Sequence, residues 1–431
     1  MKYLPIDASL FIENRKRFTR HMKPGSLAIF NSNDIMPTNA DGTMPFRQNN
    51  DLFHLSGADQ EETILVLFPD AFDPAHREML FVTKTSPEIA VWEGAKLTKE
   101  EASKTTGIAS VYWLEQFDNL LKNVMAQAKA VYLNSNEHLR ANTEVETRDM
   151  RFNKWLKETY PLHEIERAAP IMHEIRSVKL PQEIELMKKA CELTGKGVER
   201  VLNFLKPGVM EYEIEAEILH EFIRNRSRGF AYSPIIASGK NACVLHYTEN
   251  NQACQDGDVV LMDFGAEYAN YASDLTRCFP VSGQFTTRQK EVYNAVLHVM
   301  KESMKMLQPG TFLSEYHKEV GKLMEAELLK LGLLDKTDIK NQDPNWPAYK
   351  KYFMHGTSHY IGLDTHDVGS WTAPMQEGNV FTCEPGIYIP EENLGIRLEN
   401  DLLVTNDGLI DLMGHIPIEA DEIETLMQAA K

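Results

Sequence analysis

Gln255-Asp-Gly-Asp-Val-Val-Leu-Met-Asp263-Phe-Gly265 aligns without a gap on Gln376-Glu-Gly-Asn-Val-Phe-Thr-Cys-Glu384-Pro-Gly386. Each copy is a polar glycine turn, a short apolar strand, a carboxylate near the strand end and a second glycine. A further acid follows each copy: Asp274 in Ala272-Ser-Asp-Leu-Thr-Arg277 and Glu399 in Ile396-Arg-Leu-Glu-Asn400. The copies are too long and too far apart for a solenoid. They predict two related halves of one domain, each offering a β-hairpin with one acid per strand.

Around that repeat the pattern is mixed. Helical spacing over residues 182–205 and 211–226 leads to a strand-like segment at 230–238. Two more helices, at 287–307 and 313–331, separate the strand-rich blocks, and the charged, proline-containing stretch 336–351 reads as a surface loop. The first part of the chain reads as α/β. A helix at 9–22 ends at Pro24-Gly25, and short β-branched or aromatic runs follow at 27–30, 63–68, 79–83 and 131–134. Three prolines (Pro161, Pro170, Pro181) mark the change of pattern. The expected domains are therefore 1–172 and 177–431.

The chain has 431 residues, with 45 basic and 63 acidic side chains and a net charge of −18. A field of that sign repels nucleic-acid backbones and anionic membranes, so neither is expected as a partner. Acids interrupt the N-terminal stretch before a signal-peptide core forms, and no uncharged apolar run approaches ~20 residues. Five scattered cysteines without CxxC spacing fit reduced thiols and a cytoplasmic setting.

Four acids on two apolar hairpins repel one another unless they take up protons, pair with basic side chains, or hold cations between them. A lone strand-end acid is usually a turn or cap residue; the duplication argues against that reading here. The segment His355-Gly-Thr-Ser-His359-Tyr-Ile-Gly-Leu-Asp-Thr-His366 adds three imidazoles. Gly356 and Thr357 make a poor helix interior, and no Glu adjoins His355, so this is no zinc-protease helix. Asp263, Asp274, Glu384 and Glu399 supply −4, which two divalent cations balance. An oxygen-rich set with one imidazole suits hard or borderline ions such as Mn²⁺. Two such ions can share and acidify a water while polarising a carbonyl, which is hydrolysis chemistry. Asp263-Phe264-Gly265 also spells a kinase motif, but no phosphate loop or His-Arg-Asp loop accompanies it.

The ordered set Asp263, Asp274, His359, Glu384, Glu399 resembles the ligand set of the pita-bread metallopeptidases, and is most similar to the aminopeptidase P family. Supporting strings are Leu245-His-Tyr-Thr-Glu-Asn250, His355-Gly-Thr-Ser-His359, Asp364-Thr-His-Asp-Val-Gly369, Glu384-Pro-Gly-Ile-Tyr388 and, in the first domain, Phe46-Arg-Gln-Asn-Asn-Asp51. The resemblance implies an α+β pita-bread catalytic domain with a pseudo-twofold repeat, preceded by a smaller α/β domain like those of creatinase and prolidase. By position it implies that Asp263 chelates one ion, Asp274 and Glu399 bridge two, and His359 and Glu384 each bind one. Glu384 would also serve as general base for the bridging hydroxide. His246 and His366 match active-site histidines that bind the scissile group and stabilise the tetrahedral intermediate. His355 is similar to a histidine beside the proline pocket, with Tyr388 and Arg397 nearby; Arg397 reads equally as an ion pair orienting Glu399. Asp41 resembles an acid near the substrate amine, and Trp92 an aromatic inserted by a neighbouring subunit.

The implied reaction is removal of the N-terminal residue from peptides whose second residue is proline, with Mn²⁺ the expected metal and a homodimer or homotetramer the expected assembly. A prolidase restricted to Xaa-Pro dipeptides is the alternative. A non-catalytic binding module of the same fold is a further one, against which all five ligand positions count.

Overall fold

The strand Ser26–Asn31 (β1) is buried along its whole length, and its alternate side chains enter two different cores. Ala28 and Phe30 join Leu65, Leu67, Leu80 and Val82 on one face, while Leu27 and Ile29 join Val66, Met79, Phe81 and Val131 on the other. A sheet covered on both faces follows directly from that period of two. The computed structural model describes residues 2–429 and divides into two compact units, Tyr3–Arg176 and Ser177 onward.

In the first unit the remaining strands are Ile64–Leu67 (β2), Glu78–Val82 (β3), Ser110–Trp113 (β4), Ala130–Leu133 (β5) and Glu164–Arg167 (β6), in the order β4-β3-β2-β1-β5-β6. The pairs β1–β2 and β2–β3 are antiparallel; β3–β4, β1–β5 and β5–β6 are parallel. Helices Ala8–Arg20 (α1), Asn50–Ser56 (α2), Pro87–Glu93 (α3), Lys99–Thr106 (α4), Phe117–Met125 (α5), Arg148–Thr159 (α6) and Ala169–Ser177 (α7) complete the chain to the boundary. Phe18 of α1 enters one core, and Phe117 and Leu121 of α5 enter the other. Each such side chain contributes roughly 1.5–3 kcal/mol by leaving water.

The second unit repeats a two-helix, antiparallel-sheet motif. In the first half, Pro181–Phe204 (α8) and Glu211–Arg224 (α9) precede Ile235–Ser238 (β7), Val259–Asp263 (β8), Glu267–Tyr268 (β9), Tyr271–Ala272 (β10) and Thr276–Pro280 (β11). In the second, Thr287–Met304 (α10), Leu313–Lys330 (α11) and the short Lys336–Lys340 (α12) precede Val380–Cys383 (β12), Gly386–Ile389 (β13), Leu394–Arg397 (β14), Asn400–Thr405 (β15) and Gly408–Asp411 (β16), before Ala420–Ala429 (α13). Pro181 opens α8, where its missing N–H costs no helical hydrogen bond.

The sheets run β11-β8-β7 and β12-β15-β16, with β9–β10 and β13–β14 as separate two-stranded ladders. Each half is thus a strand pair with a smaller hairpin inserted between its strands. This corrects the expected simple hairpin with one acid per strand: Asp263 ends β8, but Asp274, Glu384 and Glu399 lie just outside β11, β12 and β15. The repeated glycines explain the geometry. A Cβ on Gly265 would sit 1.7 Å from the Ser273 carbonyl oxygen, and one on Gly386 would sit 2.7 Å from the Tyr388 hydroxyl. After Asp263 only glycine lets the returning backbone approach so closely, whereas after Glu384 the nearest obstacle to a Cβ is a side chain.

A candidate metal centre

The strand registers bring the acids together. Asp263 lies opposite Thr276, and Cys383 opposite Asn400, which sets Glu384 and Glu399 facing each other one step beyond the ladder. His359 comes from the segment alongside β12: Tyr360 bridges to Phe381, and the His359 carbonyl accepts from the Thr382 N–H.

Ligand-capable atoms of Asp274, His359 and Glu399, all three buried, lie within 4.8 Å of one another. Glu384 joins them through His359, whose Nε2 stands 3.5 Å from Glu384 Oε1 and 3.6 Å from Asp274 Oδ2. Asp263 joins them through Tyr232, whose hydroxyl lies 2.6 Å from Asp263 Oδ1 and 2.5 Å from Asp274 Oδ1. The five ligand positions read from the sequence therefore converge.

Their electrostatics fit cations. One hydroxyl has one proton, so Tyr232 cannot satisfy two charged carboxylates. Burial, and then the charges of Asp263 and Asp401, push the Asp274 carboxyl well above the ordinary range. Burial, and then Asp274 and Glu384, do the same to Glu399. His359 Nδ1 lies 3.0 Å from the Tyr360 carbonyl, so Nδ1 carries a proton there and Nε2 is the ring nitrogen that faces the acids.

Arg397 sits differently from the expectation. Its Nη2 donates to Asp263 Oδ2 (2.5 Å), Nη1 to the Tyr388 hydroxyl (2.7 Å) and Nε to Thr276 Oγ1 (3.2 Å). The ion pair is with Asp263, not Glu399; Glu399 is reached only through Thr276, whose hydroxyl donates to it at 2.6 Å.

Beside the acids, Tyr388 and His355 form a wall. Tyr388 is held by Arg397 and lies 2.7 Å from His355 Nε2. Burial and the Arg397 guanidinium push the His355 imidazole down to about 3, so it is neutral near pH 7. His366 is exposed, with its ring 4.4 Å from that of His359 and nearly perpendicular to it. His246 is exposed on the turn after a 3-10 segment, Gly239–Cys243. Asp41 and Trp92 belong to the first unit, where Asp41 lies on an exposed loop and Trp92, on α3, is 90% exposed.

Tyr232, Thr276 and Asp401 were not singled out by sequence reasoning. Thr276 lies within a quoted motif and Asp401 beside one, whereas no local signal marks Tyr232. Asp401 accepts the Asp274 backbone N–H at 3.1 Å.

Two buried acids, Asp274 and Glu399, two half-buried ones, Asp263 and Glu384, and one oriented imidazole at the ends of paired strands, on this duplicated fold, define the class of metal-dependent hydrolases with the pita-bread fold. Residues 185–406 match Metallopeptidase family M24, and residues 11–132 match the aminopeptidase P N-terminal domain. The chain is 35% identical to the Xaa-Pro aminopeptidase of Escherichia coli K12 over 98% of both chains. It is 32% identical to human Xaa-Pro aminopeptidase 3 over 93% of this chain and 79% of that one. Among solved structures, zinc-substituted E. coli aminopeptidase P in complex with product superposes with a TM-score of 0.88 at 34% identity, covering 99% of this chain and 100% of that one. The aminopeptidase PepP of Pseudomonas aeruginosa gives 0.89 at 31%, covering 99% of each. The chain belongs to metallopeptidase family M24, with an aminopeptidase P N-terminal domain. Its fold and enzyme class are those expected from the sequence. Among the described residues no helix is long and apolar enough to cross a membrane.

Proposed function

We propose that this chain removes the N-terminal residue from peptides with proline in second place, using two divalent cations, Mn²⁺ by preference, held by Asp263, Asp274, His359, Glu384 and Glu399. The observation that carries the reading is the buried Asp274–His359–Glu399 cluster, whose imidazole turns Nε2 toward acids that burial leaves short of counter-charge. Relatives named Xaa-Pro aminopeptidase, similar over nearly the whole chain, support the substrate class.

When bound, the ions would acidify a water between them and polarise the scissile carbonyl. Glu384 takes the proton of the attacking water and delivers it to the departing proline nitrogen. His246 and His366, both exposed, donate N–H groups to the substrate and to the oxyanion that develops on its carbonyl. The neutral His355 and the Tyr388 ring offer an uncharged wall to the pyrrolidine. A tertiary Xaa–Pro amide has no N–H, so such a wall leaves no donor unsatisfied. Arg397 fixes this wall by holding Tyr388 and Asp263 together. Asp41 binds the substrate amine, and Trp92, so exposed on α3, closes the site of a neighbouring copy in a dimer or tetramer. Five free cysteines, four of them buried, suit a cytoplasmic setting.

The test is kinetic. Protein stripped with chelator and reloaded with Mn²⁺ is offered Xaa-Pro-Xaa, Xaa-Ala-Xaa and Xaa-Pro peptides. The proposal predicts metal-dependent cleavage of the proline tripeptide well ahead of the alanine one. Equal turnover of the two tripeptides contradicts it, and cleavage of the dipeptide alone makes the protein a prolidase.

A further inference from the structure

We propose that Glu211 is a positioning residue for His246, acting through Tyr247; the proposal rests on the reading that His246 contacts substrate. Glu211, in the first turn of α9, is fully buried. Its Oε1 accepts from the Ser238 N–H (2.8 Å), the Ser238 hydroxyl (2.7 Å) and Asn241 Nδ2 (3.4 Å). Its Oε2 accepts from the Tyr247 hydroxyl (2.8 Å) and the Gln252 N–H (2.9 Å). One carboxylate therefore grips both ends of segment 238–252, in whose middle His246 lies.

The segment needs that grip. His246 is exposed, so its place depends largely on the backbone turn that carries it. The next residue, Tyr247, points inward and is buried, and its hydroxyl meets Glu211. Beyond it, Asn250 donates to the Pro234 carbonyl at 3.0 Å and accepts from the Ile236 N–H at 2.9 Å, so the far side of the turn is tied to β7 and its approach. An exposed side chain beside an anchored one is how a surface loop acquires the rigidity that a substrate contact requires.

All the donors to Glu211 are uncharged, so its removal leaves no bare cation. Tyr247→Phe deletes one hydroxyl and keeps the buried ring. Glu211→Gln is harsher: each carboxylate oxygen accepts a backbone N–H, so an amide nitrogen in either place faces a donor. Both variants are made in wild-type and His246→Ala backgrounds and loaded with Mn²⁺. Metal content, hydrogen exchange of residues 239–252 and the kcat and KM for a Xaa-Pro tripeptide are then measured.

A misplaced contact of this kind costs about 10- to 100-fold in kcat/KM. Faster exchange in 239–252, unchanged metal content for Tyr247→Phe, and a kinetic loss that disappears in the His246→Ala background are the expected results. Unchanged exchange overturns the proposal. So does a loss that persists in full without His246, since that marks general disruption. If the wild-type chain fails to cleave Xaa-Pro peptides, the function reading fails by itself, and the exchange result still decides whether Glu211 anchors the turn. If His246→Ala leaves the kinetics untouched, the positioning role is overturned while the peptidase reading stands.

Discussion

Both units of the chain bury carboxylates, and they do so in opposite ways. In the first unit Asp149 is held among amides: Asn31 donates to it at 2.9 Å, with Asn134 at 3.4 Å and Asn49 at 3.5 Å. Burial pushes its carboxyl up to about 7, against the hydrogen bond from Asn31. A single acid so placed can carry a proton near neutrality and serve as a structural node. In the second unit four acids meet one guanidinium, one shared phenol and the His359 imidazole. No set of neutral donors offsets that much negative charge. The difference separates an acid that completes a fold from acids that make a binding site.

The widest gap between the two is expected from charge removal. Glu399→Gln or Asp274→Asn should abolish metal retention and lower activity by more than the roughly 100-fold that loss of an outer partner alone costs. Asp149→Asn, measured in the same assays, should leave metal content unchanged. Retained metal and activity in Glu399→Gln would erase the distinction.

Next come the glycines that admit the acids. Gly265→Ala drives a Cβ into a backbone carbonyl that cannot move aside and should cost about 3 kcal/mol or more in urea unfolding. Gly386→Ala meets first a side-chain hydroxyl and should cost less. Equal losses would mean that the two halves are under the same constraint.

Tyr232→Phe removes the phenol shared by Asp263 and Asp274 and is predicted to weaken metal binding about 10- to 100-fold without unfolding the protein. Calorimetric titration with Mn²⁺ reads this directly.

The smallest effect is a slope. Asp149 has a folded value near 7, above an unfolded value of about 3.9. Its contribution to stability is thus complete below about pH 4 and is lost as pH rises through 7. The slope is at most about 1.4 kcal/mol per pH unit. Urea midpoints at pH 5 and 8 should show this for the wild type, and Asp149→Asn should flatten it.

Much of this was legible in the sequence because the signals are local. The helices at 182–205 and 287–307 carry strong apolar periodicity and appear as α8 and α10, within a few residues. The four acids of the candidate site stand out because the chain repeats itself. Less was legible where partners are distant. Tyr232 meets Asp263 across 31 residues, Glu211 meets Tyr247 across 36, and Thr276 meets Glu399 across 123. No short pattern encodes such pairs. The strand expected over 230–238 forms only from Ile235, after Pro234, which has no N–H for a ladder. The edge strand β6 is mostly exposed and polar, so it lacks the apolar alternation that reveals a strand. The loop expected at 336–351 contains the short α12, capped by Asp335.

Counting metal against turnover decides whether this cluster of acids holds the ions that drive hydrolysis. Chelator-stripped protein would be titrated with Mn²⁺ while bound ions per chain and cleavage of a Xaa-Pro tripeptide are followed together. Two ions per chain are expected, with hydrolysis appearing as they load. Full activity in the stripped protein, or a folded chain that binds no divalent ion, would contradict it.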